Sequence, residues 1–115
     1  QRIETRFPDT AANPYLCFAA QLMAGLDGIQ NKIHPGEVVN ENFYTLGKER
    51  LKQFNSVSKS LSEALDSLDQ DREFLTKNGV FTNGQIDTYI KMKWSEIRDL
   101  DTSPHPIEFI NYYSC

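Results

Sequence analysis

Charged and uncharged residues alternate strictly from Arg2 to Phe7: Arg2, Glu4 and Arg6 fall on one side, and Ile3, Thr5 and Phe7 make an apolar or mixed face on the other. Strand side chains point to opposite faces with period two, so the pattern predicts a strand over about residues 2–7 with one fully charged face. Pro8 and Asp9 end it. Asn13-Pro14 has the form of an N-cap followed by proline at the first helical position, where the missing N–H costs nothing. The helix it opens, running to about Ile29, is apolar nearly all round and is expected to be buried on most sides. Periodicity is lost from Asn31 to Ser58, where His34-Pro35-Gly36, Asn40-Glu41-Asn42 and Gly47 favour a long excursion. A loop of that length implies either a purpose or a neighbour to rest on.

Helical signals return at Ser60 and Glu63, which have capping-box spacing ahead of a stripe made by Leu61, Ala64, Leu65 and Leu68. Asp69, Asp71 and Glu73 mark a second start, with Gly79 as its stop. Thr82 and Gln85 form another capping box, and Ile86, Tyr89, Ile90, Trp94 and Ile97 share one face of a helix ending near Leu100. Ser103-Pro104-His105-Pro106 then forbids helix continuation. Beyond it, Ile107, Phe109, Ile110, Tyr112 and Tyr113 crowd large apolar or aromatic groups into the end of the chain. The fold class is therefore mainly α, one strand followed by three or four helices. Its parts are a strand plus buried helix (1–30), a loop (31–59), a helical stretch (60–101) and a tail (102–115). A lone strand leaves its hydrogen-bonding edges open and needs partner strands from elsewhere. With Gln rather than Met at position 1 and no leader, this is read as a sign that the chain is a piece of something longer.

Length and charge narrow the partners. A chain of 115 residues holds one modest core, and a complete multi-substrate active site would be cramped in it. The net charge is −4 and the Lys and Arg residues are scattered, which argues against a nucleic-acid partner. The nearest thing to a basic cluster, Lys48, Arg50 and Lys52, has Glu49 inside it and reads as a solvated face. The longest apolar stretch, Pro14 to Leu26, is shorter than the roughly 20 residues of a membrane-spanning helix, so no membrane partner is expected. Cys17 and Cys115 have neither metal-ligand spacing nor a disulfide framework, and a reduced, cytoplasmic setting is the default.

Phosphate-loop, dinucleotide-binding, HExxH and paired CxxC motifs are all absent. His34 and His105 each precede proline, far apart in sequence, and read as turn or packing residues. The best candidate for chemistry is the face of Arg2, Glu4 and Arg6. Two guanidiniums flanking a carboxylate suit a site that holds phosphate or carboxylate oxygens while the glutamate holds a divalent metal. The same pattern describes an exposed face whose charges pair with each other, and spacing alone favours that second description.

Longer runs carry a family resemblance. IETRFPDTAANPYLCFAAQLMAGLDGIQNKIHPGE (Ile3 to Glu37), SLSEALDSLDQDREFL, NGVFT and the terminal PHPIEFINYYSC resemble the C-terminal part of bacterial type I glutamine synthetases, least closely at Thr45 to Val57. The resemblance implies an ATP-dependent glutamate–ammonia ligase that makes glutamine through a glutamyl phosphate, using two or three Mg²⁺ or Mn²⁺ ions. It assigns Glu4 as a metal ligand, Arg6 as a contact to substrate glutamate and Arg2 as a neighbour of the nucleotide phosphates. It also implies that the remaining metal carboxylates, the ligating histidine, the ammonium site and most of the nucleotide pocket lie outside these residues, so that the chain alone is inactive.

Tyr44 corresponds to the tyrosine modified by an adenylyltransferase in many relatives, although Thr45-Leu46-Gly47 departs from the usual Asp-Leu-Pro after it, and an unmodified loop tyrosine stays open as the alternative. The tail corresponds to a strap that joins subunits across two stacked hexameric rings, a dodecamer. Docking of that tail onto the chain's own helices stays open as an alternative. From a different class, the chain also fits an acidic helical interaction module without chemistry.

Overall fold

A computed structural model describes residues 2–113, which divide into two compact units, one running to Ser58 and one beginning at Lys59. In the first unit, the Asn13 Oδ1 accepts hydrogen bonds from the Tyr15 N–H at 3.0 Å and the Leu16 N–H at 3.3 Å. This cap starts helix α1, Pro14–Gln30, with proline where no donor is needed. The helix ends in paired capping bonds, from the Ile33 N–H to the Gly28 carbonyl at 2.9 Å and from the Lys32 N–H to the Ile29 carbonyl at 3.3 Å. Lys32 takes the left-handed position between them, with φ 51°.

Two expectations for this unit are corrected. Helix α1 is not buried on most sides: Met23 is its buried residue, while Tyr15, Leu16, Phe18, Leu22, Leu26 and Ile29 are exposed. An apolar surface buries itself only where another element covers it, and this unit has no second long helix or sheet among the described residues. Residues 2–7 form no strand either, and Ile3 and Phe7 stand in solvent. Alternation sets the faces of a strand but supplies no partner for its backbone groups, and the described residues offer none. Only a side-chain bond, from the Thr5 Oγ1 to the Gln21 Oε1 at 2.9 Å, ties this segment to α1 among the bonds resolved there. Within the long excursion lies a short helix, α2 (Lys48–Leu51), too brief to leave a periodic signature.

The second unit is built on the predicted caps. The Ser60 Oγ accepts the Glu63 N–H at 3.1 Å and opens α3, Leu61–Gln70. The Glu63 carboxylate reaches back to the Lys59 N–H at 2.7 Å, one residue earlier than a standard capping box. Helix α4 (Glu73–Thr76) runs into a 3₁₀ turn at Lys77–Gly79, where Asn78 and Gly79 both take positive φ. The Thr82–Gln85 box is reciprocal, at 3.2 and 2.9 Å, and starts α5, Asn83–Asp101.

Helix α3 packs against α5, and Leu65, Leu75 and Ile86 form the buried centre. Arg72 clamps the joint by pairing with Asp69 at 2.6 Å and with Asp87. The hydrogen bond to Asp87 raises the Arg72 pKa above its ordinary value. After the break at Ser103 to His105 the chain turns helical again as α6, Pro106–Tyr112. Pro106 sits at the first helical position and the His105 Nδ1 accepts the Ile107 N–H at 3.2 Å. Ser114 and Cys115 lie outside the described residues. Among the described residues, no helix is long and apolar enough to cross a membrane.

Candidate functional site

Period-two spacing does bring Glu4 and Arg6 together. The Arg6 Nε donates to the Glu4 Oε1 at 2.6 Å, with both side chains more than half exposed, and Arg2 is exposed beside them in sequence. A solvent-exposed pair of this kind contributes about 0–1 kcal/mol, so either partner can be drawn away by a better one at little cost. Glu4 offers one hard oxygen ligand. Among the described residues no group of three His, Cys, Asp or Glu side chains is placed to hold a metal ion. One carboxylate still fits a Mg²⁺-type site as a contributing ligand, because such ions commonly take one or two carboxylates and complete their octahedron with phosphate oxygens and water. The histidines serve the backbone locally: the His34 Nδ1 accepts the Gly36 N–H at 3.1 Å, and His105 caps α6.

Tyr44 stands wholly exposed on the loop between α1 and α2. Asn42 shapes the chain beneath it. The Asn42 Oδ1 accepts the Tyr44 N–H at 3.0 Å, and the Asn42 carbonyl accepts from both the Thr45 N–H and its hydroxyl at 3.0 Å. Around this turn the structure places a cluster that the sequence pattern did not announce. The Arg50 guanidinium meets both carboxylate oxygens of Glu41 and lies over the Phe54 ring at 4.9 Å. Phe54 in turn meets Phe43 edge-on, with ring centroids 4.9 Å apart. The Arg50 hydrogen bond holds the Glu41 carboxyl below the usual carboxylate range, and the same bond raises the Arg50 pKa. Charge counting had grouped Arg50 with Lys48 and Lys52 as a solvated face. Lys52 does pair locally, with Glu49 at 2.7 Å, whereas Arg50 reaches across nine residues, a separation with no periodic signature.

Among the described residues, the exposed Glu4–Arg6 pair on an extended segment and the solvent-facing Tyr44 are the groups best placed for chemistry, and neither makes a complete site by itself. The profile of the glutamine synthetase catalytic domain matches residues 1–112, and the chain belongs to that family. Among its relatives, the glutamine synthetase of Salmonella typhimurium is 59% identical over 114 residues, 99% of this chain. That of Methylococcus capsulatus is 56% identical and that of Rhizobium meliloti 54%, over the same share. The chain spans 24% of the length of each of these relatives.

Proposed function

We propose that the chain is the C-terminal part of a glutamine synthetase, a cytoplasmic ATP-dependent ligase that joins ammonia to the side-chain carboxylate of glutamate. The observation that carries this reading is similarity along the whole chain to relatives bearing that name. In the proposed reaction a glutamate carboxylate oxygen attacks the γ-phosphorus of ATP, giving glutamyl phosphate and ADP. The ammonia nitrogen then attacks the acyl carbon, and phosphate leaves with the original carboxylate oxygen.

Arg6 binds the substrate glutamate with its planar fork of donors, exchanging its weak bond to Glu4 for the substrate. Glu4, so released, holds one of the Mg²⁺ or Mn²⁺ ions, and Arg2 faces the nucleotide phosphates. When bound, such an ion neutralises the charge of the transferring phosphoryl group. Residues 2–7 gain in the larger protein the strand partners they lack here. Purified protein carrying this segment is expected to form one glutamine per ATP consumed, and the 115-residue chain alone none. Failure of the larger protein to make glutamine would sink the reading.

The proposal extends to assembly and regulation. Tyr44 is the residue that an adenylyltransferase modifies, and its full exposure supports access by another enzyme. The tail acts as a strap between subunits of two stacked hexameric rings. Its support is that Ile107, Phe109, Ile110, Tyr112 and Tyr113 are all exposed rather than docked on the second unit's helices. Fully burying an exposed Ile or Phe side chain is worth about 1.5–3 kcal/mol, so covering this group between subunits favours their association. Removal of residues 107–115 from the larger protein is expected to turn double rings into single ones in electron micrographs. Intact double rings would show that the strap lies elsewhere.

A further inference from the structure

The loop that carries Tyr44 is closed by side chains as well as by its own backbone turn. Gly47 sits between Tyr44 and α2 and is the least restricted residue of the span. Across that weak point Arg50 grips Glu41 with two hydrogen bonds and covers Phe54, which packs on Phe43. The two arms of the loop, Glu41 and Phe43 before the tyrosine and Arg50 and Phe54 after it, are thereby closed, while the Tyr44 ring stays fully in solvent. Four side chains are committed to the clamp and the residue at its crown is left uncommitted. That arrangement suits a group presented to a second enzyme, because a loop already ordered loses less freedom when it is bound.

We propose that Arg50 is a positioning residue for the modification of Tyr44, holding the loop in the shape a nucleotidyl-transferring enzyme binds. The inference rests on the reading above that Tyr44 is the modified residue. In the transfer, the Tyr44 phenol oxygen attacks the α-phosphorus of ATP held by the transferase. A tyrosyl O–P bond forms, the bond to the β-phosphate breaks, pyrophosphate leaves, and the phenol proton passes to a base of the transferase. Arg50 touches none of these atoms. Its effect therefore falls on recognition of the loop rather than on the chemical step.

The test uses the larger glutamine synthetase carrying this segment, a purified bacterial adenylyltransferase and [α-³²P]ATP. Wild type is expected to take up label at Tyr44, and Arg50→Ala to raise the transferase KM for the protein about tenfold with kcat within a factor of two. Glutamine formation should be unchanged, which shows that the variant is folded. The exchanged pair Glu41→Arg with Arg50→Glu should recover most of the lost affinity. An Arg50→Ala protein labelled like wild type overturns the positioning role and leaves Tyr44 modification standing. An exchanged pair no better than Arg50→Ala also overturns it. Wild type that takes up no label at Tyr44 overturns both the inference and the reading beneath it.

Discussion

Replacing Glu4 by alanine in the larger protein that carries this segment, on the reading that it is a glutamine synthetase, is expected to lower kcat by about 10²–10³-fold. The estimate follows from the several kcal/mol that a bound metal contributes to charge stabilisation in phosphoryl transfer, at about 1.4 kcal/mol per decade of rate. Among the described residues Glu4 is exposed and pairs with the still more exposed Arg6, so within this chain its removal leaves no hole in a core. The half-activating concentration of Mg²⁺ or Mn²⁺ should rise in the same variant, and excess metal should restore part of the activity. Glu4→Asp, with a shorter reach, should fall between. The check is activity as a function of metal concentration. A Glu4→Ala enzyme with wild-type kcat and metal dependence would remove Glu4 from the site and favour the self-paired charged face.

Leu65→Ala is expected to destabilise the second unit by about 2–5 kcal/mol, the range for large-to-small changes at buried leucines. Leu65 is only 2% exposed, the lowest value among the buried core residues, and lies where α3 meets α5. Leu75 and Ile86 complete a small centre, so little remains to absorb the cavity. A whole domain is stable by only about 5–15 kcal/mol, and the loss is a large share of that. Urea unfolding of the 115-residue chain followed by circular dichroism measures it. Leu100→Ala, at a residue 72% exposed, is the matched control and should change stability by no more than about 0.5 kcal/mol. Equal unfolding midpoints for the two variants would mean that the α3–α5 contact does not hold this unit together.

What the chain announces in advance, and what it does not, follows from the range of each signal. Caps act over three or four residues, so Asn13, Ser60 and Thr82 were legible as helix starts, and all three accept the expected backbone N–H groups. Pro106 carried the same kind of signal. It was read as a break because Ser103 and Pro104 precede it, although proline at a first helical position also begins a helix, as it does in α6. Longer-range features were not legible. Alternation over residues 2–7 could not supply a second strand, and the apolar surface of α1 could not supply its cover.

The candidate site divides along the same line. Glu4 beside Arg6 is a period-two neighbour relation, and it is found at 2.6 Å. Their proposed roles come from family resemblance, because an exposed pair looks the same whether or not it ever meets a substrate. The Glu41–Arg50 clamp joins residues nine apart across a loop, and only coordinates could reveal it.

Residues 2–6 are proposed to form one wall of a glutamine-forming site. That proposal is tested most directly by following ¹⁸O from the side-chain carboxylate of labelled glutamate into inorganic phosphate. The larger protein is assayed with ATP and ammonia at varied glutamate, as wild type and as Arg6→Ala. Label is expected in phosphate, and the variant is expected to need about 10–100 times more glutamate for half-maximal transfer, as loss of a charged hydrogen-bonding partner implies. Its ATP dependence should stay near wild type. Phosphate without label, or an Arg6→Ala protein with the wild-type glutamate dependence, would contradict that proposal.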